Sequence, residues 1–124
     1  YFSANGINEN RITEASHLHT SQLISNTPVF VEHYPLHNKE LDLVANWNTK
    51  NIFVYSAMDE PLFKHFGSEK LIPLMKMMGM KENEAIEHAM VSKSIISGQK
   101  KIEEQVSVEK SAFSQDEWMR LNLA

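Results

Sequence analysis

Cysteine is absent from the 124 residues. That excludes disulfide frameworks, cysteine-ligated zinc and thiol nucleophiles, and leaves the redox compartment unreadable. Glycine is scarce, with four residues, each isolated. Neither G-x-x-x-x-G-K-[ST] nor G-x-G-x-x-G occurs, so there is no phosphate-cradling loop and nucleotide hydrolysis by this chain alone is strongly disfavoured. Serines are plentiful, but none sits in a G-x-S-x-G elbow. Basic residues are outnumbered, 12 Lys+Arg against 16 Asp+Glu, for a net charge of −4. That balance argues against a nucleic-acid partner. Uninterrupted apolar runs are only a few residues long, so no membrane span is expected. The chain opens on Tyr1-Phe2-Ser3 rather than Met, which suggests a processed or excised chain. No signal peptide is visible in it, and one could already have been removed.

What remains is ordinary globular material. Hydrophobic residues make up 42%, enough at this length for one core and a single domain over 1–124. The halves differ. All seven methionines lie between Met58 and Met119, and nine of the twelve basic residues follow position 50. The first half is rich in Asn, Thr, Ser and His, which favours loops and strands. The second is charge-dense and balanced, as solvated helices are. The expected fold class is α+β, with a small β-containing N-terminal half and a helical C-terminal half.

Residues 1–10 read as frayed and turn-like around Asn5-Gly6. Thr13 to Ile24 reads as a short helix. Pro28 to Tyr34 and Asn51 to Tyr55 read as strands, β-branched and aromatic. Lys39 to Trp47 reads as a helix between them. From Asp59 the apolar period becomes 3.6. Pro61 starts a helix and Gly67 ends it. Ser68 is placed to cap a helix over Glu69 to Met78, with Pro73 breaking it near Leu71. A long helix is expected from about Asn83 to Val106, with Ile86, Ala89, Met90, Lys93, Ile96, Gly98 and Ile102 on its stripe. Ser114 and Glu117 form a capping-box pattern for a last helix through Trp118.

Three groups of side chains bear on chemistry. His17, His19, His33 and His37, with Glu14, Glu32 and Glu40 nearby, offer metal-ligating atoms. Pro35 disfavours the helix that would align His33 with His37, so surface histidines are the plainer account. The methionines Met75, Met77, Met78, Met80 and Met90 suit either plastic core packing, which is favoured, or an adaptable peptide groove. Glu103-Glu104 and Asp116-Glu117 read as solvated helix faces. No nucleophile–base pair is identifiable, so the pattern leans away from an enzyme, and no cofactor is expected.

Asp59-Glu60-Pro61-Leu62-Phe63-Lys64-His65-Phe66-Gly67-Ser68-Glu69-Lys70 resembles the E-D-P-L-M-R-x-F-G-S-[DE]-R segment of the SecA preprotein translocase ATPase. Met78-Gly79-Met80-Lys81-Glu82-Asn83-Glu84-Ala85-Ile86-Glu87-His88 is similar to the family's M-G-[LM]-K-x-G-E-x-I-E-H. Lys93-Ser94-Ile95 and Gln99-Lys100-Lys101-Ile102-Glu103 resemble its K-S-I and A-Q-[KR]-K-V-E. The resemblance covers about residues 51–104. In that family this stretch joins the second motor domain to the helical scaffold, and no catalytic residue of the family maps onto it. The family's Walker motifs and its G-R-x-G-R-Q-G have no counterpart here, and its downstream N-F-D-I-R-K is missing. Asn83 stands for a glycine and Pro73 intrudes in a helix.

The resemblance therefore implies the motor-to-scaffold junction without the motor, and a cytoplasmic location. Its amphipathic stripe must be buried by the first half of the chain, by a partner, or by a second copy. The favoured expectation is a non-catalytic module binding a protein or peptide through Phe63, Phe66, Met75, Met78, Ile86 and Met90. The alternative is a small metal-binding protein or hydrolase using His17, His19, His33 or His37. A homodimer through the 83–106 helix is a third expectation, weakened by Gly98 and Ser94, which interrupt any heptad.

Overall fold

A computed structural model describes residues 6–49, 52–81, 83–84 and 89–123, the side chains of Ser16 and Met90 apart. The fold is α+β and rich in helix. In chain order it contains β1 (Val29–Phe30), α1 (His37–Ala45), β2 (Phe53–Val54), α2 (Pro61–His65), α3 (Leu71–Met77), α4 (Ala89–Gln105) and α5 (Gln115–Asn122). Short 3-10 turns occur at Glu9–Arg11, Ala15–His17, Thr20–Leu23 and Ser68–Lys70.

The strands are much shorter than the sequence suggests. β1 and β2 pair in parallel, Val29 against Phe53 and Phe30 against Val54, with α1 in the crossover. Parallel strands require such a long connection. The Tyr55 N–H continues the pairing to the Phe30 carbonyl at 2.8 Å. Beyond Phe30 the ladder stops. The backbone groups of His33 and Tyr34 are bonded to side chains instead (described below), and Pro35 has no N–H to give. The expected helix over 13–24 is replaced by two 3-10 turns. Asn, Ser, Thr and His there compete for backbone bonds and offer no continuous apolar stripe.

Around Pro73 the chain resolves its own conflict. Residues Ser68–Lys70 form a 3-10 turn, and α3 restarts at Leu71, which puts Pro73 in the first helical turn. There its missing N–H would have had no helical partner anyway. Ser68 is not the cap: its hydroxyl donates to the Met58 carbonyl at 2.8 Å, and Gly67, at φ +77°, enters the turn instead. Only glycine adopts that angle without a penalty.

The long helix begins later than expected. Asn83 and Glu84 lie in a turn closed by the Glu84 N–H on the Lys81 carbonyl, and the described helix runs Ala89–Gln105. Its buried side is also rotated. Gly98, Gln99 and Ile102 face inward, with Val106 partly buried, while Lys93 and Ile96 are exposed.

The core is small. Leu36, Leu62, Ile102 and Trp118 form its centre, with Tyr34, Val106, Ala112, Met119 and Leu123 packed around it. One residue comes from the first half, two from the 51–104 stretch, and one from the C-terminal segment. The apolar stripe is thus covered from both sides of the chain, not by the first half alone. Trp47 is buried separately, stacked on Phe30 with ring centroids 5.4 Å apart.

Candidate functional site

The N-termini of α1 and α2 set up the site. Neither has a capping side chain of its own. Instead, Glu103 on α4 accepts the Asn38 N–H at 2.6 Å, and Gln115 on α5 accepts the Leu62 N–H at 2.8 Å. Distant side chains thus satisfy donors that the first helical turn leaves open. In doing so they tie the middle of the chain to its C-terminal helix.

A buried polar network continues from there. The Gln115 amide donates to the His33 carbonyl at 2.9 Å, and the Gln99 amide donates to the Tyr34 carbonyl at 2.6 Å. Glu40 on α1 accepts the Tyr34 N–H at 2.9 Å and lies 3.0 Å from His33 Nδ1. Three helices therefore grip residues 33–34. The Tyr34 hydroxyl and the Trp118 indole N–H both donate to Glu109. Burial, and then Glu109 itself, raises the Tyr34 phenol above its ordinary range. The rings of Tyr34 and Trp118 meet edge to face with centroids 6.5 Å apart.

Glu60, only 5% exposed, is the charged outlier of this network. Its Oε1 sits 3.5 Å from the Gln115 amide, and its Oε2 is enclosed with no hydrogen-bond donor of regular geometry. Burial pushes its carboxyl up to about 7, Glu32 adds to the rise, and Gln115, His33 and the Ser56 hydroxyl oppose it.

The histidines expected as ligands are dispersed. His17 and His19 are exposed near the start of the chain, and His17 Nδ1 lies 3.5 Å from Glu14. His33 is held by Glu40, and the His37 Nδ1 is buried without a partner. Among the described residues no three His, Asp or Glu side chains converge as metal ligands. A surface depression of about 770 Å³ lies between Leu23, Pro28, Trp47 and Phe53, and its described lining holds no acid or base.

The expected docking residues divide. Phe63 is buried, with its ring beside that of His33 at 6.5 Å. Phe66 is partly exposed, and its ring lies over Gly98, where an added Cβ would come within 2.5 Å. Ile86 and the side chain of Met90 lie outside the described residues. Met75 is half-buried. Met77 and Met78 are 85% and 67% exposed, so the expectation of methionine core packing fails at these two. The cause is the short α3. Among the described residues its main contacts are with the 3-10 turn before it, and the outer side of a seven-residue helix is left bare. Leu71 and Leu74 extend the bare side, giving an apolar stripe at i, i+3 and i+7 with Met78.

Sequence reasoning missed Gln99, Gln115, Glu60 and Glu103. The available signal was Gln99 itself: it stands three residues before Ile102 on the buried side of α4, where a polar residue needs a partner.

Comparison with known proteins reaches part of the chain. The protein translocase subunit SecA of Acidithiobacillus ferrooxidans is 53% identical over 49 residues, 40% of this chain and 5% of that protein. SecA of Christiangramia forsetii is 48% identical over 50 residues, 40% of this chain and 4% of that protein. SecA of Acinetobacter baumannii is 43% identical over 49 residues, with the same 40% and 5% shares. The chain therefore matches only about 5% of the length of these relatives. No protein-family profile and no solved structure matches it. Among the described residues no helix is long and apolar enough to cross a membrane. Two-fifths of this chain is thus a SecA-like, preprotein-translocase-related segment.

Proposed function

We propose that the chain is a non-catalytic protein-interaction module, derived from the motor-to-scaffold junction of a preprotein translocase, that docks a protein or peptide on the outer side of α3. The supporting observation is the stripe of Leu71, Leu74, Met77 and Met78, all exposed on one short helix and the residue that caps it. A contiguous apolar patch of this kind marks an interaction surface more often than chance exposure does. Methionine suits the role, because its unbranched, polarisable side chain adapts to varied partners. Elsewhere in the SecA-like segment, Leu62, Phe63, Gln99 and Ile102 are buried and serve the fold.

Methyl NMR on the methionine-labelled protein tests this reading. Titration with amphipathic helical peptides should shift Met77 and Met78 and leave Met58 and Met119 unmoved. A magnesium–ATP titration followed by calorimetry should give no binding heat. Micromolar ATP affinity, or peptide-induced shifts confined to the far side of the molecule, would overturn the proposal.

A further inference from the structure

We infer that Met77 and Met78 form a paired oxidation site: conversion of their thioethers to sulfoxides by a peroxide turns the α3 face from apolar to polar and releases its partner. The inference rests on the reading of α3 as a docking face, and what it adds is how that face is regulated. Two observations carry it. The chain has seven methionines and no cysteine, so no thiolate of its own competes for a two-electron oxidant, and thioether sulfur is the readiest target. Access to those sulfurs is uneven. Met77 and Met78 are 85% and 67% exposed, whereas Met58, Met75, Met80 and Met119 are partly buried. The backbone holds the pair in place: the Met78 N–H donates to the Leu74 carbonyl at 3.1 Å, and the Gly79 N–H to the Lys76 carbonyl at 3.0 Å. Their exposure thus belongs to the bonded end of a helix, not to a loose chain end.

The step balances with hydrogen peroxide as co-reactant. A sulfur lone pair attacks one peroxide oxygen, and the S–O bond forms as the O–O bond breaks. The proton of the transferred oxygen passes to the departing hydroxide, which leaves as water. Sulfur loses two electrons and the peroxide gains them. The product is polar where the thioether was apolar and adaptable. A partner covering the stripe beside Leu71 and Leu74 would then bury an S–O dipole with no donor provided for it, which disfavours the complex. The reverse step uses a dithiol and a methionine sulfoxide reductase: two thiols become one disulfide and the oxygen departs as water. Met77 and Met78 lie outside the core of Leu36, Leu62, Ile102 and Trp118, against which Met119 packs. Oxidation of the pair therefore changes the face and leaves the fold standing.

Limited hydrogen peroxide treatment of the intact protein, read by tandem mass spectrometry, tests the site. Met77 and Met78 should gain oxygen several-fold faster than Met58 and Met119. Anisotropy with a fluorescein-labelled helical peptide bearing one leucine face tests the switch. Oxidation of the pair should weaken binding about 10-fold, the loss tracking the sulfoxide fraction at 77 and 78. A sulfoxide reductase with dithiothreitol should restore it, and the circular dichroism spectrum should stay unchanged throughout. The double variant Met77→Leu, Met78→Leu keeps an apolar stripe without sulfur, so its affinity should be the same before and after peroxide. Equal or faster oxidation of Met58 and Met119 overturns the site. Binding that survives complete oxidation of the pair overturns the switch and leaves the docking face intact. A double variant that binds no peptide, or that still loses binding on oxidation, also overturns the switch, as does a loss of helical signal in the oxidised protein. Untreated protein that binds no such peptide overturns the docking face itself, and the switch with it, whatever the oxidation pattern.

Discussion

Gln115 Oε1 accepts the Leu62 N–H at 2.8 Å, across 53 positions of sequence. The same amide group donates to the His33 carbonyl. One side chain at the start of α5 thus caps α2 and pins the segment before α1. It lies at the meeting point of three parts of the chain that share no local signal. Removing it breaks two bonds in a buried setting, where a lost partner costs more than the bond's net value.

Gln115→Ala should therefore destabilise the protein by about 2–4 kcal/mol. Gln115→Glu keeps the acceptor for Leu62 but loses the donor to His33 and brings a second carboxylate beside Glu60. Urea denaturation followed by tryptophan fluorescence should rank both below wild type. Wild-type stability in the alanine variant would show that the Leu62–Gln115 bond contributes nothing.

Glu60 makes stability depend on pH. Its carboxyl is raised to about 7 in the folded protein, so the folded state holds a proton that the unfolded chain releases near 4.5. That contribution is complete below pH 4.5, declines as pH rises through 7, and is gone above it. Glu60→Gln should match wild type near pH 5 and exceed it by about 1–3 kcal/mol at pH 8. Parallel urea titrations at the two pH values measure the difference. A variant that parallels wild type across the range would contradict the enclosed carboxyl.

Gly98 and Phe66 form a size-matched pair. A Cβ at Gly98 would come 2.5 Å from the Phe66 ring. Gly98→Ala gains about 1 kcal/mol of helix propensity and loses about 1–3 kcal/mol to overpacking. The net change should be destabilising. Combined with Phe66→Leu, which removes the obstructing ring, the alanine should cost less or become neutral. A double-mutant cycle reads this coupling directly, and strict additivity would deny the contact.

Glu103 caps α1 from another helix. Glu103→Ala should cost about 1 kcal/mol, the usual value of a lost N-cap, and Glu103→Gln rather less because an acceptor oxygen remains. Amide hydrogen exchange should show faster exchange at Asn38 and Lys39 in the alanine variant. Unchanged protection there would mean that the helix start is held by other means.

Much of the helical half was legible beforehand, for local reasons. Pro61 and Gly67 bracket α2 because one is pre-set for a first helical turn and the other tolerates a left-handed exit. Ser114 caps α5 through the Glu117 N–H at 3.1 Å, although Glu117 reaches back to Phe113, one residue short of a full capping box. Pro73 broke its helix close to the expected point. Strand lengths, the rotation of α4 and the exposure of Met77 and Met78 were not legible. Each depends on what packs opposite, and local pattern carries no such information.

The sequence by itself determined the start and stop of α2, the start of α5, the α+β class and the kinship of one segment with SecA, because these reside in neighbouring residues and their order. Tertiary structure decided which side of α4 is buried, which side chains cap α1 and α2, and that α3 keeps an apolar side in water. The physical reason is that a buried donor must be satisfied by whatever side chain the fold brings near, and an apolar side chain is buried only if another element arrives to cover it.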